Sequence, residues 1–123
     1  MKSLLVLLLG TAVGCSSASV PAAADGGHET ASTCPNDLPN SCPSTAPSYR
    51  SDIVPILKAD CIHCHSPTGV GGYSETTYAD VYEQRSAILD QVYSCLMPPA
   101  SYSMAIQQRE TLLAWLVCGA PDN

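Results

Sequence analysis

Five consecutive residues carry the chemistry of this chain: Cys61-Ile62-His63-Cys64-His65. Two thiols separated by two residues and followed at once by an imidazole form C-x-x-C-H, the spacing at which a haem is held covalently. Each thiol adds across one of the two vinyl groups on one edge of the porphyrin. The two residues between them let a single helical turn match the vinyl separation, and His65 then comes under the iron as its proximal ligand. Cys61 and Cys64 are the candidate attachment residues, and one haem c is the candidate cofactor. Two other chemistries use the same pair. A zinc site needs two further closely spaced Cys or His ligands, and neither His28 nor the remaining cysteines form a second C-x-x-C or an H-x-x-x-H. A dithiol redox motif is expected inside a βαβ pattern, and none flanks this one.

The elements that must position these residues read as helices. Ser51 or Asp52 is a fair N-cap, Pro55 falls in the first turn, and Ile53, Ile56 and Leu57 recur at helical spacing, so a short helix runs directly into Cys61. Residues 66–75 hold Pro67, Gly69, Gly71 and Gly72 and read as a loop whose backbone can lie close to a porphyrin. Thr77 caps a second helical region, with Asp80 completing an imperfect capping box. Val81, Ile88 and Val92 share one face there, and the region is one helix or two. Pro98 and Pro99 end it after Met97. A third helix is predicted from about Met104 to Cys118, with Ile106, Leu113 and Val117 on one face and Leu112, Trp115 and Leu116 adjoining. Gly119 and Pro121 stop it. There is no strand pattern and no internal repeat, so the expected fold class is all-α with long loops.

The composition asks for internal support. The chain has 123 residues, no Phe, one Trp and six Tyr, too little bulk for a thick side-chain core. Seven cysteines and a buried cofactor would act as staples. The net charge is −6, which disfavours nucleic-acid binding because that needs a basic face. Either the acidity serves solubility, or partners present neutral or basic docking surfaces.

The N-terminal third addresses the chain. Met1-Lys2-Ser3 is a basic start, the apolar stretch from Leu4 ends near Val13, and this is too short to span a bilayer. Residues 1–14 read as a secretory signal peptide. Ala12-Val13-Gly14-Cys15 resembles a bacterial lipobox, although Ala12 stands where Leu is commonest. Cleavage would leave Cys15 as a lipidated N-terminus, and more than one acyl chain makes anchoring stable. The alternative is an ordinary signal peptide cut nearby. Residues 15–48 read as a lipid-anchored flexible linker, rich in Ser, Ala and Gly as far as residue 33. Its last part contains Pro35, Pro39, Pro43 and Pro47, with Cys34 and Cys42 eight apart and expected to close a small disulfide loop. Residues 49–123 form the folded domain. The predicted location is the periplasmic side of a bacterial membrane, the outer in preference to the inner.

A thioether is the expected sixth ligand for an electron-transferring iron of this kind. Met97 stands in a Pro-stiffened loop, Met104 opens a helix, and Met1 leaves with the leader, so Met97 is favoured over Met104. The alternative is Met97 as core filler and an iron that is five-coordinate or held by two His. From Asp52-Ile53-Val54-Pro55-Ile56-Leu57 through Cys61-Ile62-His63-Cys64-His65 and Met97-Pro98-Pro99 to Trp115-Leu116 and Gly119-Ala120-Pro121, the chain resembles class I cytochrome c. It looks most like the monohaem domains of bacterial lipoproteins. The resemblance implies N- and C-terminal helices crossing near one haem edge, His65 and Met97 on opposite faces of the iron, and one-electron transfer. It departs in one respect: the nearest proline after the motif is Pro67, so no acceptor for the second nitrogen of His65 is evident. His63 should point away from the iron. Cys95 and Cys118 are the remaining cysteines and are expected to pair across the third helix, although connectivity is not readable from sequence.

Three functions follow. The first is an electron carrier with redox protein partners in the periplasm and no small-molecule substrate. The second is a peroxidase-like haem enzyme with an open distal site, for which Arg85 and Arg109 are the available cations. The third is a haem-free, disulfide-stapled binding module.

Overall fold

The computed structural model describes residues 34–123. The predicted signal peptide, Cys15, His28 and the first part of the predicted linker lie outside the described residues. Within 34–123 the regular structure is all helical: a π-helical turn Tyr49–Ile53, α1 Val54–Asp60, α2 Tyr78–Tyr93 and α3 Ile106–Val117, with no strand among the described residues. No helix there is long and apolar enough to cross a membrane.

The first helical segment starts earlier than predicted. Ser48, not Ser51 or Asp52, is the cap: Ser51 N–H donates to Ser48 Oγ (3.4 Å), and Ser48 N–H donates to Asp52 Oδ2 (2.7 Å). The reciprocal pair satisfies donors that the helix start leaves without partners. Pro55 sits in the first turn of α1, where its missing N–H removes nothing. α2 is a single helix, opened by the predicted box: Asp80 N–H donates to Thr77 Oγ1 (3.2 Å) and Thr77 N–H to Asp80 Oδ2 (3.3 Å). α3 ends in a Schellman motif. Gly119, at φ +83°, donates to Leu116 O, and Ala120 N–H donates to Trp115 O, both at 3.0 Å.

α3 packs against α2 and the π-helical turn. Ile53, Val81, Leu112, Leu113 and Trp115 are fully buried between them. Tyr49 stacks on Trp115 (5.6 Å between rings) and meets Tyr78 edge-on (5.0 Å), so three aromatic rings replace part of the bulk that absent Phe would have given. Trp115 Nε1–H donates to Pro121 O (3.0 Å) and Tyr78 OH to Ala120 O (2.9 Å), which fastens the last turn to the core. The expected apolar face of α3 is rotated: Ile106 is 69% exposed, and the buried face is Arg109, Leu112, Leu113, Trp115 and Leu116.

The disulfides correct the sequence reading. Cys34 pairs with Cys95 and Cys42 with Cys118, in place of Cys34–Cys42 and Cys95–Cys118. Prolines keep the segment after Cys34 extended, and eight extended residues reach roughly 25 Å, so the two cysteines land on different helix ends. Twelve helical residues advance about 18 Å, and α3 stands between Cys95 and Cys118 in the chain, whereas a disulfide needs Cα atoms within about 7 Å. Residues 34–48 are thereby bonded to the helical body and are not the end of a tether. Asp37 adds an ion pair with Arg109 (2.7 Å).

Candidate functional site

The turn that carries the motif grows out of α1. Cys61 and Ile62 N–H groups both donate to Leu57 O (2.9 Å each), and Cys64 and His65 N–H groups donate to Cys61 O (3.0 and 2.9 Å). This single turn brings Cys61, Cys64 and His65 to one wall of a cavity of about 500 Å³, within the roughly 300–1,000 Å³ of cofactor and ligand sites. Ile88, Gln91 and Val92 of α2 form another part of its lining, and Met97, Pro98, Tyr102 and Met104 come from the loop before α3. Both methionines weighed as ligands therefore face the same space. His63 is exposed and lies at the cavity rim, its ring 6.2 Å from that of Tyr102.

Of the six cysteines among the described residues, only Cys61 and Cys64 are unpaired. Burial and the neighbouring carboxylates of Glu75 and Asp60 push the Cys61 thiol pKa far above its ordinary value. His65 is buried, with 7% exposure. Its Nδ1 lies 3.2 Å from Tyr73 O. A carbonyl only accepts, so Nδ1 carries a proton, and in the neutral imidazole this leaves the lone pair of Nε2 for a ligand. Tyr73 is thus the missing acceptor, and its ring also packs on the imidazole at 4.7 Å.

The loop after the motif folds back tightly. Gly71 N–H donates to Cys64 O (2.9 Å) and Glu75 N–H to His65 O (2.8 Å). A Cβ on Gly71 would stand 2.4 Å from His65 Nδ1, and one on Gly69 would stand 2.0 Å from Cys64 O. The two glycines are required by close approach to the motif, not by backbone conformation.

Sequence reasoning missed two carboxylates and one carbonyl here. Glu75 is 4% exposed and faces the cavity; burial raises its pKa, against the lowering effect of His65 and the Cys61 thiol. Asp60 also lines the cavity, with one buried oxygen unpartnered, and burial raises its pKa. No periodic or motif signal marks either residue, and a backbone carbonyl such as that of Tyr73 has no sequence signature at all. Arg109 is not available as a distal group: its guanidinium is held by Asp37, Val92 O and Tyr93 O.

The fit to a haem is good on four counts that the structure supplies. The two thiols are unpaired, they share a wall with an imidazole whose Nδ1 is engaged by Tyr73 O, the lining is largely apolar, and Gly71 stands where a side chain would displace the imidazole. What the described residues define is a small all-α domain, twice disulfide-bonded, around one cysteine- and histidine-lined cavity. No family model matches the chain, and searches of curated proteins and of solved structures found no match.

Proposed function

We propose that this protein is a monohaem c-type cytochrome of class I type that transfers single electrons. The observation that carries the reading is the unpaired Cys61 and Cys64 set beside a His65 whose Nδ1 is already engaged by Tyr73 O. Cys61 and Cys64 bind the porphyrin edge as thioethers. His65 offers Nε2 to the iron, and Tyr73 O holds the proton on Nδ1, which fixes the ring and raises its basicity. Met97, which lines the same cavity, would offer its thioether sulfur to the iron. What the bound haem contributes is a one-electron ferrous–ferric couple, which a thioether ligand biases toward the reduced state. The apolar lining from Ile88, Val92 and Pro98 excludes water and disfavours the additional charge of the oxidised form. The other four described cysteines are used in disulfides, so among the described residues the motif has no cysteine partners for a zinc site. With Cys15 lipidated, the carrier works on the periplasmic side of a membrane, the outer in preference to the inner, and exchanges electrons with protein partners there.

The test is expression with export and haem-attachment machinery. The expected product shows Soret absorption and a peptide across Cys61–His65 heavier by one porphyrin. In the oxidised form it shows an iron–sulfur charge-transfer band that Met97→Ala abolishes. An unmodified peptide across that turn refutes the haem reading. A high-spin ferric spectrum at neutral pH replaces the carrier by an enzyme with an open distal site.

A further inference from the structure

The end of α2 is held from outside the helix. Cys95 has φ +56° and stands at the left-handed position after the cap, where glycine is usual. Its neighbours complete a Schellman ending: Cys95 N–H donates to Val92 O (3.1 Å) and Leu96 N–H to Gln91 O (2.9 Å). Met97 N–H then donates to the same Gln91 O (3.0 Å). The path from helix to Met97 thus depends on one residue in a conformation that a side chain disfavours.

That residue is tied through its sulfur to Cys34. Beside the disulfide, Arg109 reaches the same helix end. Its guanidinium donates to Val92 O and, from Nη2, to Tyr93 O (3.0 Å), and it pairs with both Asp37 oxygens (2.7 and 2.9 Å). The cation satisfies terminal carbonyls and sits at the negative end of the helix dipole. Asp37 follows Cys34 by three residues, so both attachments come from one short stretch of the N-terminal arm. The other disulfide differs in this respect. Cys42–Cys118 meets the end of α3, where Gly119 supplies the left-handed residue itself.

We propose that residues 34–37, through the Cys34–Cys95 disulfide and the Asp37–Arg109 pair, are a clasp that positions Met97. Reduction of that disulfide by a dithiol loosens Met97 from its ligand position. This deepens the haem reading above and rests on it. Cys34 and Cys95 are both exposed, so a dithiol can reach the bond. In the exchange the Cys34–Cys95 S–S bond breaks, both sulfurs end as thiols, and the dithiol leaves as its own disulfide, two electrons and two protons having been transferred. Cys34, Asp37 and Arg109 are positioning residues: they act on the iron through Met97.

The experiment compares Cys34→Ser/Cys95→Ser with Cys42→Ser/Cys118→Ser in the full chain. Before haem attachment, hydrogen exchange at the Leu96 and Met97 amides should be at least tenfold faster in the first variant and close to wild type in the second. After attachment, the first variant should lose the iron–sulfur band and bind added imidazole at least tenfold more tightly, and dithiol treatment of the wild type should do the same. Unchanged exchange at the two amides overturns the clasp, as does equal loosening in both variants. Loosened amides with an intact iron–sulfur band overturn the ligand-holding role. Loosened amides in a protein that takes up no porphyrin uphold the clasp on the loop and refute the haem reading alone. If the first variant does not fold, dithiol treatment of folded Cys42→Ser/Cys118→Ser protein breaks only the Cys34–Cys95 bond, and the same readouts decide.

Discussion

Gly71→Ala isolates the contact on which the proximal side of the cavity depends. The added methyl carbon would stand 2.4, 2.6 and 2.8 Å from three atoms of the His65 ring, while ordinary carbon contacts begin near 3.5 Å. Ring or loop must therefore move by roughly 1 Å. The Nδ1···Tyr73 O hydrogen bond starts at 3.2 Å, already at the long end of the range, and does not survive such a shift. Overpacking of this kind costs about 1–3 kcal/mol of stability. Loss of the partner that orients a ligating histidine weakens metal affinity by about 10–100-fold. In haem-loaded protein the less basic imidazole should stabilise the oxidised iron less, so the midpoint potential rises. Gly72→Ala is the control. Gly72 has φ +82°, and a methyl there would meet nothing within 4 Å, so alanine at this position should cost about 1–2 kcal/mol through backbone strain alone and leave the potential unchanged. Urea melts give the stability costs and a redox titration reports on the site. A Gly71→Ala protein with wild-type potential, or a Gly72→Ala protein that shifts it, refutes the steric argument.

Three further outcomes are expected. Leu113→Ala, at a fully buried position, should lower unfolding free energy by about 2–5 kcal/mol, read from denaturant melts at unchanged m-value. The Arg109 guanidinium beside Asp37 holds its carboxyl pKa below the usual carboxylate range. That contribution is present above the unfolded pKa, near 4, and is lost as pH falls through the lower folded value. Asp37→Asn should therefore flatten the acid limb of the stability–pH curve, and an unchanged limb refutes the assignment. Glu75 has the opposite sign: burial raises its folded pKa, so its favourable contribution exists at low pH and disappears as pH rises through that raised value. Glu75→Gln should make the haem-free protein more stable at pH 7, as a thermal melt would show.

How far the residues speak for themselves varies with the kind of signal. The start of α2 was legible because Thr77 and Asp80 form a local box, and the stop of α3 because Gly119 is the residue that a left-handed position favours. The motif turn was legible because the i, i+3, i+4 spacing of Cys61, Cys64 and His65 puts all three on one side of a helical turn. The end of α2 was not: Cys95 does there what Gly119 does in α3, and a cysteine gives no hint of a positive φ. The disulfide partners were hidden because proximity is decided by how the Pro-rich arm lies along the helices, not by sequence separation. Ile106 misled because it shares a period with Leu113, yet it sits in the first turn, beyond the packed part of α3. The buried cation on that helix was unexpected because its partners are an arm residue and two carbonyls, none close in sequence.

The two cross-links interleave along the chain, Cys34–Cys95 and Cys42–Cys118, and both span the glycine-containing loop at 66–76. A protease that cuts one peptide bond in that loop therefore separates nothing. The fragment bearing Cys61, Cys64 and His65 stays doubly bonded to the fragment bearing Met97, and the nick becomes visible only on a reducing gel. The loop can thus be severed without dividing the molecule, because either sulfur pair alone keeps both halves of the cavity in one body.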